Sequence, residues 1–482
     1  MDGCRAGRYD GHDRVGGGRY GRPVLTGPRG SRLGSRLGSG LGSRLGSLWG
    51  QRDREIIRLA VPALGALVAE PLFLLADSAV VGTLGVGPLA GLAVAATVLG
   101  TLVGLCVFLA YGTTASVARL LGAGDRPAAL RQGVDGMWLG LGLGVALGLV
   151  LVVVAEPLTR ALGASPATAA YAVTYLRIST LGLPAMLVVL AATGVLRGLQ
   201  DTVTPLVVAV VAAVANLALE LLLVLVLHRG IAGSAAATVV AQWGAATAFA
   251  VVVGRGLRGS GTALRPDARG VRSAATASVP LLVRTVALRL VFVVSLVVAA
   301  GIGDRALAAY QVSLQTWYLL ALVLDALAIA AQAMVGRLLG AGDVVEARAT
   351  LHRLVWWGVL VGAGLGVVVL LLRPAYVLLF TSDAGVRREL AAALVLVAAH
   401  QVVAGATFVL DGVLIGAGDA RFLAVAQTAT LVLYLPAAWL VVASGGGLVA
   451  LWVALGYFMM CRLALLGWRA HGDAWLVTGA VR

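Results

Sequence analysis

The sequence predicts an all-α membrane protein whose twelve transmembrane helices form two six-helix lobes related by a pseudo-two-fold axis along the membrane normal. Three observations predict this class: long uncharged apolar stretches, an uneven distribution of arginine between them, and an internal duplication. Of the 482 residues, 60% are hydrophobic and 12% are charged, whereas about a quarter of the residues in soluble domains are charged. Apolar stretches of about 20 residues indicate membrane-spanning helices, because a helix satisfies its own backbone hydrogen bonds in lipid.

Twelve apolar segments follow Arg54, each long enough to cross a bilayer. Their expected spans are 56–82, 88–118, 128–155, 168–196, 203–227, 232–254, 273–301, 307–335, 349–372, 387–416, 421–442 and 447–468. An alternating pattern of the kind found in membrane β-barrels is absent from the sequence. Helices are therefore expected throughout.

The arginines between the segments predict the orientation. All 37 basic residues are arginine. With the N-terminus in the cytoplasm, 28 arginines fall at inside positions and six at outside positions, and the inside excess remains, at 16 to six, when those before the first segment are left out. Cytoplasmic loops are enriched in Arg and Lys. We therefore expect a multi-pass plasma-membrane protein with both termini in the cytoplasm, and the net charge of +15 does not require nucleic acid as a partner.

Composition and the duplication divide the chain into five parts. Residues 1–50 are rich in Gly, Arg and Ser and are expected to form a disordered tail, with a role at a lipid surface or on nucleic acid as an alternative. An N-lobe of six helices is expected over 51–258, a cytoplasmic linker over 259–272 and a C-lobe over 273–470. Residues 471–482 are expected to form a cytoplasmic tail. The three cysteines are too widely spaced to indicate a disulfide or a metal site.

The duplication has a constant offset of 218 residues. The segment Arg119–Asp125, of sequence RLLGAGD, recurs letter for letter as Arg337–Asp343. Gly194–Gly198 likewise matches Gly412–Gly416 at four of five positions. Because each copy holds an even number of helices, both copies have the same orientation in the membrane, and a substrate site is expected where they face each other. This arrangement favours a transporter over a membrane enzyme.

Ionisable residues inside the membrane are costly and are functional candidates by default. Asp77 lies in the first segment, and Asn216 and Glu220 lie in the fifth, four residues apart and therefore on one helix face. At 1.5 Å per residue, the two acids lie at a similar depth, about 12 Å below the outer rim. Their repeat mates, Ser295 and Ala438, carry no charge. The group predicts a site for H⁺ or Na⁺ in the N-lobe, and structural pairing is the alternative.

The C-lobe carries a different set of buried charges. Asp325 in the eighth segment is expected to line the central cavity, whereas Asp411 lies near the inner end of the tenth, where a solvated or capping role competes with a cavity role. Arg284 could be a buried counter-ion or a substrate contact. In the first segment, Pro62 and Pro71 each remove a helical hydrogen bond, so a hinge that couples protonation of Asp77 to cavity shape is expected there.

Sequence motifs for other energy sources or chemistries are absent. No nucleotide-binding P-loop, zinc-protease HExxH motif or nucleophile elbow is present in the sequence. We therefore expect a secondary active transporter that is driven by an ion gradient and that has no enzymatic activity, bound metal or cofactor.

Several segments of the chain resemble sequences of the multidrug and toxic compound extrusion (MATE) family. In the first half these are Ala60–Pro62, Pro71–Gly82, the RLLGAGD loop, Gly194–Asp201 and the pair Asn216 and Glu220. In the second half, Leu324–Gly336 and Leu410–Asp419 resemble the DNA-damage-inducible F branch. The resemblance covers about residues 52–470, and together its motifs are fairly specific.

This resemblance implies an antiporter that exports cationic, amphipathic drugs by alternating access in exchange for H⁺ or Na⁺. It implies that Thr238 lies near the N-lobe ion site, and it places Gln332 where the branch often has Glu, which removes one charge from the cavity. We expect the chain to act as a monomer in the bilayer. A flippase for lipid-linked precursors and a polytopic membrane enzyme remain as alternatives.

Overall fold

The computed structural model describes residues 50–258 and 265–480 of the chain. The N-terminal tail expected over 1–50 lies outside the described residues except for Gly50, and so does the part of the expected linker between 259 and 264.

The described residues form helices joined by short turns. Eleven helices are long and apolar enough to cross a membrane, and a bent pair of shorter helices forms a twelfth span. The spans are α1 (Gln51–Gly82), α2 (Val86–Gly122), α3 (Arg126–Ala161), α4 (Pro166–Ser179 with Leu183–Gly198), α5 (Val203–Val226), α6 (Gly230–Gly256), α7 (Ala268–Ile302), α8 (Asp304–Gly340), α9 (Val344–Phe380), α10 (Ala384–Gly416), α11 (Ala420–Ala443) and α12 (Leu448–His471). Each predicted segment corresponds to one span, so the predicted fold class is confirmed.

Two local differences from the predicted helices have physical causes. Helix α7 begins at Ala268 and not at 273, because the Asp267 side chain caps it by accepting the backbone N–H of Arg269. Helix α4 bends by 57° between its two parts. Pro184, just after the bend, has no backbone N–H to donate, whereas its repeat mate Val402 lies inside the unbroken α10.

Helix α1 contains both Pro62 and Pro71 and yet runs as a single helix from Gln51 to Gly82. The prolines therefore do not divide the first span into separate helices. The proposed hinge remains a prediction about motion.

The packing of helices repeats between the two halves. In the first half α1 packs on α5, α2 on α4, α3 on α4, and α4 on α6; in the second half α7 packs on α11, α8 on α10, α9 on α10, and α10 on α12. Contacts between halves follow the same rule, because α1 packs on α8 while α7 packs on α2. A two-fold relation between the halves produces this pattern.

The duplicated RLLGAGD motif builds the same helix junction twice. Gly124 and Gly342 have φ angles of 82° and 81°, a backbone conformation that glycine adopts without steric cost. The next residue, Asp125 or Asp343, caps the following helix by accepting a backbone N–H three residues further on. The motif therefore ends one span and starts the next.

The first glycine of the motif lets the two halves touch. A Cβ atom on Gly122 would lie 1.9 Å from the carbonyl oxygen of Arg337, and one on Gly340 would lie 2.0 Å from the carbonyl oxygen of Arg119. These mirrored contacts bring the ends of α2 and α8 together. This end of the molecule carries the α2–α3 and α8–α9 turns and is called the inner end below.

Ion pairs and the C-terminal segment also join the halves at the inner end. Three pairs connect α1 to α8 or α9: Arg52 with Glu346 at 2.5 Å, Asp53 with Arg353 at 2.6 Å, and Glu55 with Arg337 at 2.7 Å. Beyond α12, the predicted tail folds back. Trp475 is buried, Arg119 donates to the carbonyl oxygen of Val477, and Gly479 N–H donates to that of Leu339. The inner end is therefore closed.

Candidate functional site

Helix α5 buries its polar residues and exposes its apolar ones, which indicates a polar site inside the protein. Between Val203 and Glu220, its buried residues are Pro205, Asn216 and Glu220, while apolar side chains such as Val211 face outward. A helix in lipid turns its polar groups toward the protein interior. The carboxylate and the carboxamide therefore lie inside the N-terminal half.

Asp77 of α1 meets these groups and is held by two hydroxyls from other helices. The Ser234 hydroxyl of α6 donates to Asp77 Oδ1 at 2.7 Å, and the Tyr175 hydroxyl of α4 donates to Oδ2 at 3.4 Å. Thr238 lies one turn after Ser234 and donates to its carbonyl oxygen at 3.2 Å. The predicted residues therefore come together, and Ser234 and Tyr175 join them.

Several oxygens in this group lack a donor. Glu220 faces Asp77, yet neither of its carboxylate oxygens has a hydrogen-bond partner among the described residues, and neither does Asn216 Oδ1. Buried acceptors without donors are costly, and two facing carboxylates repel unless a proton or a cation lies between them. The group formed by Asp77, Asn216, Glu220 and Thr238, with Tyr175 and Ser234, is called the acid cluster below, and its chemistry suits the binding of H⁺ or Na⁺.

The corresponding place in the second half is neutral. Ser295, the repeat mate of Asp77, and Tyr434, the mate of Asn216, hydrogen-bond each other through their hydroxyls at 2.6 Å. Ala438 stands at the place of Glu220 and is buried. Ser295 also donates to the carbonyl oxygen of Val291 at 2.7 Å, so these two hydroxyls are satisfied and this place in the second half carries no charge.

The second half instead holds a buried ion-pair triad. Arg284 of α7 donates to Asp411 Oδ2 at 2.8 Å, and Arg462 of α12 also donates to that oxygen. All three side chains are at least 90% buried. Buried ion pairs of this kind hold their geometry because each charge needs its partners.

The triad lies on the wall of a cavity of about 400 Å³. Asp325 and Gln332 of α8 line the same cavity, as does Arg289 of α7. Aromatic side chains complete the wall and are Tyr111, Phe292, Trp317, Tyr318 and Phe408. Lining residues come from α2 in the first half and from α7, α8, α10 and α12 in the second, so the cavity lies where the halves meet.

The structure therefore places the second predicted set in one cavity. Arg284, Asp325, Gln332 and Asp411 all line it, and the solvated or capping alternative for Asp411 is wrong, because Asp411 is buried and paired with two arginines.

Sequence reasoning missed one member of the triad. The orientation count includes Arg462 among the 28 arginines at inside positions, whereas in the structure it lies inside α12 and is only 5% exposed. The unpaired charge of Asp411 in the sequence was the available signal for a missing cation.

Comparisons with known proteins match both copies of the duplicated sequence. The family model MatE matches residues 62–222 and 280–440, two stretches whose ends differ by the 218 residues of the duplication. The chain is 32% identical to Protein DETOXIFICATION 44, chloroplastic, of Arabidopsis thaliana over 440 residues, which is 87% of this chain and 82% of that protein. It is 30% identical to DNA damage-inducible protein F of Escherichia coli over 431 residues, 87% and 92% of the two chains.

A solved structure shares the fold. The Vibrio cholerae MATE transporter VcmN in the bent form superposes with a TM-score of 0.79 at 24% identity, over 88% of this chain and 96% of that one.

Proposed function

Because the chain belongs to the MatE family of secondary transporters, we propose that it exports small organic compounds in exchange for H⁺ bound at the acid cluster. MATE transporters are ion-coupled antiporters that bind small organic substrates, and the chain is not an enzyme. The finer assignment concerns the ion, its site and the cargo.

The observation that carries the proposal is the set of buried oxygens without donors at Glu220, which faces Asp77, and at Asn216, one helical turn before Glu220. A proton shared between the two carboxylates supplies a donor and removes one negative charge. Loss of that proton restores the repulsion, so the occupied and empty clusters favour different arrangements of α1, α4, α5 and α6. This difference is what couples an ion gradient to alternating access.

The cargo site is the cavity between the halves. Its aromatic walls suit an amphipathic molecule, and it is separate from the acid cluster, so that the ion and the cargo bind at different places. The family resemblance implies organic cations as cargo, and the assay therefore includes cargo of each charge. The distribution of arginine supports an orientation with both termini in the cytoplasm, and the plasma membrane is the location in this proposal.

The test measures transport in inside-out membrane vesicles under an imposed pH gradient or an imposed Na⁺ gradient. Three cargoes share one dansyl fluorophore: dansylglycine, an anion; dansylglycinamide, which is neutral; and dansylamidoethyl-trimethylammonium, a cation. We expect the pH gradient to drive uptake of at least one cargo into wild-type vesicles. Asp77→Asn and Glu220→Gln should each reduce gradient-driven uptake at least tenfold.

The matched control is Glu156→Gln, an acid-to-amide change in the same half at an exposed side chain that pairs with Arg160. It should retain wild-type uptake. Uptake that ignores both gradients, or an Asp77→Asn variant as active as the control, would contradict the proposal. Uptake driven by Na⁺ alone would mean that the coupling ion is Na⁺ and not H⁺, with the acid cluster still as its binding site.

A further inference from the structure

We propose that the cavity between the halves selects organic anions: it binds small amphipathic molecules through an acidic head group, such as a carboxylate, held by Arg289 and Arg462. This inference rests on the proposed transport function and names the class of its cargo. It also reverses the head-group charge that the family resemblance implies.

The charges on the cavity wall carry the inference. Three arginines and two aspartates line the cavity, which leaves one net positive charge even when both aspartates are ionised. Arg197, buried in α4, lies within electrostatic reach of Asp325 and adds a further positive charge nearby. Arg289 is exposed, whereas Arg197, Arg284 and Arg462 are buried, and this excess of positive charge over the two carboxylates favours an anion in the cavity.

One of the two aspartates is fully paired. Asp411 accepts from both Arg284 and Arg462, which leaves little negative charge for a cationic ligand. Asp325 forms no ion pair within the described residues, and the charges of Arg197, Arg284 and Arg462 act on it. A cation in this cavity would therefore meet one carboxylate against an excess of arginine.

Two arginines of the cavity wall have side-chain donors that no protein carboxylate takes up. Arg462 is 5% exposed, and its buried Nε has no hydrogen-bond partner among the described residues. Arg289 forms no ion pair with a carboxylate of the described segments, and its guanidinium lies beside Tyr318 and against Gly104 of the facing half. Guanidinium groups bind carboxylates strongly because their donors match the two oxygens.

The repeat shows that these arginines are not part of the shared scaffold. The mates of Arg284, Arg289 and Arg462 in the first half are Ala66, Pro71 and Gly244. Because the same helices pack in both halves with these uncharged residues, the fold does not require arginine at the three positions. The aromatic wall then accounts for the rest of the ligand, since Phe292, Trp317 and Phe408 offer apolar faces to a ring.

The test is equilibrium binding of the three dansyl compounds to the full-length protein in detergent, followed by dansyl fluorescence. No ion gradient is present, so this result is independent of the coupling experiment. We expect dansylglycine to bind at least tenfold more tightly than dansylglycinamide, and the cation to bind most weakly. Tighter binding of the cation would overturn the inference and leave the coupling proposal intact.

Variants of Arg289 test the site, since this residue has no carboxylate partner to lose. Arg289→Gln should weaken dansylglycine binding about tenfold, the effect of removing about 1.4 kcal/mol. Arg289→Glu should invert the order, so that the cation binds more tightly than the anion. Arg177→Gln, which removes an exposed arginine of α4 outside the cavity, should bind like wild type; an Arg289→Glu variant with the wild-type order would overturn the assignment.

Competition distinguishes a soluble acid from an anionic lipid head group. Free 1-naphthoate should displace dansylglycine, while transfer of the protein into nanodiscs that contain phosphatidylglycerol should leave its affinity unchanged relative to neutral nanodiscs. Displacement by the lipid and not by the naphthoate would overturn the proposal in favour of a lipid ligand.

Discussion

The acid cluster and the cavity wall differ in how their charges are satisfied, although the two halves share one scaffold. In the first half, Asp77 accepts from two hydroxyls and faces Glu220 with no arginine among its hydrogen-bond partners. In the second half, Asp411 is paired with two arginines. A carboxylate held by neutral donors can gain or lose a proton or cation, whereas one held by fixed cations cannot do so without breaking ion pairs. The duplication therefore gives both halves the same helix packing, and a few polar residues that differ between the copies give each half a different chemistry.

The largest expected effect concerns the ion-pair triad. Asp411→Ala leaves Arg284 and Arg462 buried without a counter-ion, so the free energy of unfolding should fall by about 3–5 kcal/mol. Asp77→Ala leaves only the Ser234 and Tyr175 hydroxyls without an acceptor and should cost about 1–3 kcal/mol. Unfolding of the purified variants in mixed detergent micelles measures both values. Equal losses would remove the distinction between the two carboxylates.

A smaller loss of stability is expected for substitutions at the contact between the two halves. Gly122→Ala and Gly340→Ala each place a Cβ within 2.0 Å of a backbone oxygen of the other half, so each should destabilise the protein by about 1–3 kcal/mol through overpacking. The two losses should agree, because the contacts mirror each other.

The control for these glycines is Gly142→Ala, where a Cβ meets nothing within 4 Å. It should be neutral or should stabilise the helix by up to about 1 kcal/mol. A loss at only one of the two junction glycines, measured by the same unfolding experiment, would contradict the two-fold relation.

The smallest expected effect is a change in ligand affinity at the cavity. A Cβ on Gly104 would lie 2.6 Å from Arg289 Nη2, so Gly104→Ala should shift the guanidinium into a poorer rotamer and weaken dansylglycine binding about two- to fivefold. Gly100→Ala, on the same span with open space around it, serves as the control. Fluorescence titration compares the two, and identical affinities would show that Arg289 does not hold the head group.

The sequence predicted what depends on position along a helix. Runs of apolar residues located the twelve spans, the offset of 218 located the duplication, and counting residues placed Asp77 and Glu220 at one depth. These features are local or linear, so a single chain reveals them.

What the sequence did not predict depends on how helices are rotated and packed. Ser234 and Tyr175 are ordinary polar residues in their own spans, and only packing brings them to Asp77. Arg462 lies six residues before the end of the predicted segment 447–468, so its position alone groups it with the inside arginines, and only packing brings it to Asp411. Trp475 lies in a segment too short to show a periodic pattern, and its burial becomes visible only when the segment folds back.

The central claim, that the ion binds at the acid cluster and the cargo binds in the separate cavity between the halves, is tested most directly by transport in the Arg289→Glu variant under an imposed pH gradient. The measured quantity is the ratio of uptake of the anionic dansyl compound to that of the cationic one. The account predicts that this ratio falls below one in the variant while uptake still depends on the gradient. A ratio unchanged from wild type, or loss of gradient dependence together with the change in ratio, would contradict it.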